Sequence, residues 1–162
     1  MNSINATQLW QDELRTILVF GIYQVLFDQK LKLENSVDWN NIVKNLIEEE
    51  ALELGFEPDI NFLNSQLENF QVNKVELVAI IEPHLTKKFS TLYDILKAIL
   101  LSFAMEYTAL KQDSLELDDK IKAQLFTQYL TLAQEYTMLA NTRMVHGILA
   151  SVMNIKGKIK EV

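Results

Sequence analysis

The sequence predicts an all-α protein of about seven helices, arranged as one compact domain or as two small bundles that share a core. Three observations carry this. Only 4 Gly and 2 Pro punctuate 162 residues dominated by Leu, Ile, Glu, Lys, Asn and Ala, the composition of helices joined by short polar loops. Apolar residues recur at i, i+3, i+4 and i+7 in several windows. No segment sustains the alternation of a half-buried strand, repeats at a fixed period, or is of low complexity. A chain of this length buries a substantial interior without staples. With no cysteine, disulfides, thiolate metal sites and thiol nucleophiles are excluded.

The first helix is expected from near Thr7, which can cap it, with Asp12 and Glu13 set favourably against the helix dipole. Leu14, Ile17, Leu18, Gly21, Ile22, Val25 and Leu26 form its core stripe. Phe20, Tyr23 and Phe27 fall off that stripe, so the helix is either central or offers a second contact face. A second helix is expected over 37–54, with Trp39, Ile42, Val43, Leu46 and Ile47 inward and Gly55 as its stop. Pro58 precedes a short third helix carrying Ile60, Leu63, Leu67 and Phe70. A fourth segment over 74–85 places Val75, Val78, Ile81 and Leu85 at helical spacing, and Pro83 bends or interrupts it.

Thr91 and Asp94 resemble a capping box that opens a fifth helix. Ile95, Ala98, Ile99, Ser102, Phe103 and Glu106 run along one side of it. Leu96, Leu100 and Leu101 widen the apolar face, so this helix is expected to be the most buried. Asp118 starts a sixth helix with Ile121, Leu125, Tyr129, Leu132, Ala133 and Tyr136 inside. Asn141 caps a seventh, whose Val145, Ile148, Leu149 and Val152 pack, and the basic tail beyond is expected to fray.

Net charge is −7 and the pI is near 4.8, which opposes broad affinity for nucleic acid and leaves room only for local basic patches. The N-terminus lacks the basic and apolar regions of a secretory signal. The longest uncharged apolar run, 98–105, is far short of the ~20 residues of a membrane span. A cytoplasmic protein without a membrane partner is expected.

Catalytic signatures are missing. His84 and His146 are far apart and sit in no metal-binding spacing, and a lone histidine beside an apolar helix is more often a surface or satisfied core residue. Gly21, Gly55, Gly147 and Gly157 form no phosphate-binding loop. Adjacent carboxylates such as Glu48 with Glu49, or Asp118 with Asp119, fall on polar faces or helix starts, where solvation and capping account for them. Neither an enzyme nor a cofactor is expected.

Three stretches go beyond periodicity. Over 76–107, Ile81, Pro83, Leu85, Ala98, Ile99, Leu100 and Glu106 fall in the order of a run IxPxLxR followed by LxxxERAILRLAxYEL. The stretch LTLAQEYTMLANTRMVHGILASVM, 130–153, follows AxELAKxFGxEDSxKFVNGVLD without a gap, with Leu132, Ala133, Tyr136, Arg143, Val145, Gly147 and Leu149 in place. The first helix, LRTILVFGIYQVLF, matches ARELALQALYQ at Arg15, Tyr23 and Gln24. In this order and spacing the chain resembles the NusB family of bacterial transcription antitermination factors over nearly its whole length.

The resemblance implies two packed three-helix bundles with an added helix and no enzymatic activity. One NusB-like domain would span 1–162, with an N-terminal bundle at about 7–72, a C-terminal bundle at about 73–155 and a basic tail at 156–162. It further implies binding of boxA-type single-stranded RNA together with NusE, a small-subunit ribosomal protein. That complex joins elongating RNA polymerase and supports ribosomal RNA transcription. RNA contacts carry over to Arg15, Tyr23, Gln24, Asn141, Thr142 and Arg143, and protein-partner contacts to Leu96, Glu106 and Met144. Single-stranded RNA is read by aromatic stacking, arginines and helix N-termini. Arg15 and Tyr23, about two turns apart, are expected to share a face, and His146 to pack at the turn between the last two helices.

The chain departs from the family pattern at several positions. Residues 1–14 hold no Lys or Arg, Leu96, Leu139 and Ala140 replace acidic residues, and Met144 replaces a phenylalanine. Affinity for RNA alone is therefore expected to be weak. A second reading is a helical adaptor or homodimer that has lost RNA binding, consistent with the acidic charge and the bare N-terminus; the chain would be a monomer or a homodimer. Salt separates the two, since phosphate contacts weaken steeply with salt and an apolar interface does not. A third reading, the NusB-like helical domain of certain ribosomal RNA methyltransferases, finds neither a Rossmann-type glycine loop nor a catalytic cysteine.

Overall fold

The computed structural model describes residues 9–31, 59–112 and 117–155. These form five α-helices and two 3-10 turns, with no strand among the described residues. The helix expected over 37–54, together with Thr7, Gly55, Pro58 and the tail from 156, lies outside the described residues.

Helix α1 (Asp12–Leu31) starts later than expected, because Leu9, Trp10 and Gln11 are not helical. Asp12 and Glu13 occupy its first turn, where acidic side chains favour the exposed N–H groups. Its whole expected stripe, from Leu14 to Leu26, is buried, and Phe27 stands 40% exposed on the outer face.

Helix α2 (Ile60–Ile81) begins behind Asp59, whose carboxylate accepts the Phe62 N–H at 3.0 Å. The two helices expected here are one, kinked where Asn73 leaves helical geometry (φ −108°, ψ 16°). The Asn73 amide donates to the Asn69 side chain across the kink, a local bond of the kind that lets asparagine compete with the helical ladder. This kink falls where the boundary between the two bundles is expected, at about 72–73. The buried positions keep one phase across the kink, Leu63, Leu67 and Phe70 continuing to Leu77 and Ile81, and Val75, expected in the core but five residues beyond Phe70, falls on the outer face at 80% exposure. Ile60, in the first turn, is likewise exposed rather than buried.

Pro83 has no N–H to continue the ladder, so α2 stops at Ile81 and Glu82–His84 form a 3-10 turn. A second such turn, Phe89–Thr91, engages the Thr91 hydroxyl with the Lys88 carbonyl at 2.6 Å. The expected capping box is thus absent: Thr91 serves its own turn, and α3 (Asp94–Lys111) starts behind an extended Tyr93 that makes no side-chain cap.

Helix α3 is the most buried, as its breadth of apolar residues requires. Every residue from Ala98 to Glu106 is buried, and α1, α2 and α4 all pack on it. Truncating a ring such as Phe103, at 0% exposure, to alanine costs about 3–5 kcal/mol. Helix α4 (Asp119–Tyr136) is capped by Asp118, which accepts the Lys120 N–H at 2.8 Å. Tyr136, expected inside, is 39% exposed at the helix end, with its ring edge-on to Phe20.

Helix α5 (Leu139–Val152) begins before Asn141. The N–H groups of Asn141 and Thr142 both donate to the Met138 carbonyl, at 2.9 and 3.0 Å, so Met138 holds the cap position and Asn141 is already in the first turn. The helix ends in a Schellman motif. Asn154 (φ 53°) donates to Ser151 O at 3.2 Å, and Ile155 donates to Ala150 O at 2.9 Å. The buried apolar side chains of all five helices form one cluster. Among the described residues, no helix is long and apolar enough to cross a membrane.

Candidate nucleic-acid interface

Helices α4 and α5 meet at a two-residue break. The Thr137 hydroxyl closes α4 by donating to the Ala133 carbonyl at 2.6 Å, and the extended Met138 turns the chain into α5. The resulting concavity, about 520 Å³, is lined by Gln134, Thr137, Thr142, Arg143 and His146 over a floor that includes Leu130. Arg143 is exposed, Asn141 half-buried and Thr142 buried. The His146 ring packs edge-on against Phe126 at 4.9 Å, and its Nε2 is buried with no hydrogen-bond partner among the described residues. The exposed Arg143 thus stands beside Thr142 in the first turns of a helix, a place that favours anions.

Arg15, expected to face RNA, does not. Its side chain is 1% exposed, and all five guanidinium N–H groups have acceptors. Nε and Nη2 donate to Glu106 at 2.9 and 3.0 Å, Nη1 to Asp12 and Gln128 at 2.8 and 3.3 Å, and Nη2 also to the Trp10 carbonyl at 2.8 Å. Glu106 further accepts the Trp10 N–H and the Tyr129 hydroxyl, at 2.9 and 2.8 Å. Burial alone would lower the Arg15 pKa; hydrogen bonding to Glu106 and the surrounding negative field outweigh it, and the net shift is upward. The guanidinium also lies 5.4 Å from the centre of the Tyr129 ring. Eight residues are about 80° more than two full turns, and this offset takes Arg15 inward while Tyr23 stays half-buried on the outer side.

Two of the three positions expected to meet a protein partner lie inside the core. Glu106 is 0% exposed within the Arg15 network, and Leu96 is 1% exposed in the core. Met144 is half-buried against the core cluster. The expected residues therefore separate into a buried pair (Arg15 and Glu106), the outer face of α1 (Tyr23 and Gln24) and the start of α5 (Asn141, Thr142 and Arg143). His146 does pack at the α4–α5 turn as expected. Sequence reasoning missed Tyr129 and Ser102 as members of the buried network, where their hydroxyls lie 3.1 Å apart. The signal was present: Ser102 and Glu106 sit one turn apart on the most apolar helix, and a buried carboxylate needs a cation.

Helices packed around a buried α3, with a polar pocket where α4 meets α5, define a scaffold with the NusB fold. T. maritima NusB shares it in a crystal structure, at 12% sequence identity and a TM-score of 0.65 over 91% of this chain and 94% of that one. So does a chain from the crystal structure of antitermination factors NusB and NusE in complex with double-stranded RNA. There the identity is 17% and the TM-score 0.64, over 90% of this chain and 96% of that one. No protein-family model matches the sequence, and no curated protein matches it significantly.

Proposed function

We propose that this chain is an RNA-binding antitermination factor of the NusB type, a binding protein rather than an enzyme. In this reading it takes boxA-type single-stranded RNA together with the ribosomal protein NusE and joins the elongating RNA polymerase complex. The observation that carries the reading is the α4–α5 pocket, where Arg143 and Thr142 stand at a helix N-terminus on a NusB-like fold. Gly147 supports it. This glycine lies one turn beyond Arg143 on an exposed part of α5, and a Cβ there would meet nothing within 4 Å. Internal packing does not require a glycine at a position where it weakens the helix, whereas the close approach of an outside ligand would.

The test is binding of labelled boxA-like RNA, with and without NusE, at low and moderate salt. Arg143→Ala should weaken binding about tenfold and flatten the salt dependence by one phosphate contact, a slope change of about 0.7 for a single strand. Absence of RNA binding by the native chain, with NusE present, would refute the proposal. A second reading, a helical adaptor that no longer binds RNA, is favoured by Met138 and Leu139, 76% and 66% exposed at the same junction. It requires binding of the protein partner with no dependence on RNA and little on salt.

A further inference from the structure

Opposite its buried stripe, α2 presents an outer face with two open valines. Val72 and Val75 are 79% and 80% exposed, and Glu68, Glu76 and Ala79 beside them are exposed as well. By helical geometry these five positions fall within an arc of about 100° and span about 16 Å of the axis, directed away from the stripe that runs from Leu63 to Ile81. Local stability does not ask for valine on a solvent-facing helical surface, where a β-branched side chain is a weak helix former.

The charge on this face is of one sign. Glu68 and Glu76 lie one turn before and one turn after Val72, and neither carboxylate has an ion-pair partner among the described residues. Lys74, the one basic residue between them in sequence, is half-buried and lines a groove with Tyr23 of α1 and Lys97 of α3 instead. The exposed Arg143 belongs to α5. An anion-favouring pocket and an anion-repelling apolar face thus stand on different helices.

We propose that the outer face of α2 is the docking surface for a cationic protein partner, which lays apolar side chains over Val72, Val75 and Ala79 and sets Lys or Arg against Glu68 and Glu76. The inference rests on the reading of the chain as a factor that takes RNA together with a ribosomal protein, and it supplies the protein-binding surface that the buried Leu96 and Glu106 do not provide. A protein that itself binds RNA is rich in Lys and Arg, because phosphate contacts require them, and a chain of net charge −7 attracts it from a distance. RNA is repelled by the two carboxylates and finds no ring to stack on among these five residues. A second copy of this chain would set carboxylate against carboxylate where two such faces meet. Protein and RNA therefore occupy separate faces and bind together.

The test follows the kinetics of NusE binding at low and moderate salt, with boxA-like RNA titrated separately. The variants are Val72→Gln with Val75→Gln, Glu68→Gln with Glu76→Gln, and Arg143→Ala, each checked by thermal melting. The valine variant should lose about tenfold in affinity through faster dissociation, as removal of central apolar contacts does. The glutamate variant should associate several-fold more slowly and lose most of the salt dependence, the mark of flanking charges. Neither should weaken binding of RNA alone, whereas Arg143→Ala should weaken RNA and leave NusE binding intact. NusE bound equally by the native chain and both α2 variants would overturn this surface and leave the underlying reading in place. A native chain that binds RNA but not NusE would overturn the surface and the partner half of that reading; one that binds neither would overturn both. A valine variant that melts well below the native chain would show that the chain covers this face itself, and a native dimer that the valine variant dissociates would give the face to a second copy; either overturns the inference.

Discussion

Arg15 and Glu106 form a two-pronged ion pair, 2.9 and 3.0 Å, that joins the first turn of α1 to the buried centre of α3 across 91 residues of sequence. Tyr129 of α4 and the backbone of Trp10 close the remaining positions around the carboxylate. Trp10 in turn sets its ring edge-on against Phe62 of α2, 5.7 Å away. Four helices are thus referenced to one polar knot. Such a buried pair contributes little net stability against an apolar replacement, but breaking it leaves a charge stranded.

Arg15→Ala should therefore lower the unfolding free energy by about 3–5 kcal/mol, read from urea denaturation at neutral pH. Arg15→Met combined with Glu106→Leu should recover most of that loss, because no unpaired charge remains. A cost below about 1 kcal/mol for the single alanine variant would show that water reaches Glu106 and that the knot is not dry.

Tyr129 gives the knot a pH dependence. Burial first, and then the charge of Glu106, push its pKa well above the usual value of 10.0. A raised pKa means that the folded state keeps a proton the unfolded chain releases. The contribution is whole below pH 10 and is lost as pH rises past it, by up to about 1.4 kcal/mol per pH unit. Denaturation across the alkaline range should show this decline in the native chain and a shallower one in Tyr129→Phe. Equal slopes in the two proteins would remove Tyr129 from the titration.

Much of this was legible in the residues. The α1 stripe, the buried α3, the Asp118 cap and the break at Pro83 follow from periodicity, capping chemistry and the missing proline N–H. Arg15 was misplaced because a charged side chain was assigned outward, although it lies three and seven residues before Leu18 and Ile22, on the core face itself. Val75 was misplaced because the fourth segment was phased on its own, whereas the stripe of Leu63, Leu67 and Phe70 continues through Asn73 to Leu77 and Ile81 and leaves Val75 on the outer face. The gathering of Lys74 and Lys97 beside Tyr23 was not legible, because three separate segments bring them together. The pocket at the α4–α5 turn was half-legible: its residues were marked, but Asn141 was assigned the cap that the Met138 backbone provides.

Asn154 ends α5 in the left-handed region, at φ 53°, which glycine adopts without penalty and asparagine better than most other residues. Asn154→Gly should leave the 2.9 Å bond from Ile155 to Ala150 intact and stabilise the fold by a few tenths of a kcal/mol. Asn154→Ala should cost about 1 kcal/mol. Thermal melting of the three proteins decides this, and identical melting temperatures would show that the helix end frays independently of the core.

Gly147 separates stability from function. In the interior of α5, with open space where a Cβ would sit, glycine costs the helix about 0.5–1 kcal/mol relative to alanine. Gly147→Ala should raise the unfolding free energy by that amount. If an RNA backbone crosses α5 beside Arg143, the added methyl should also weaken binding by about tenfold, equivalent to 1.4 kcal/mol. Chemical denaturation and RNA titration on the same preparation give the two numbers. A more stable protein with unchanged affinity would move the RNA path off this turn, leaving Arg143 to be approached from the Gln134 and Thr137 side of the pocket.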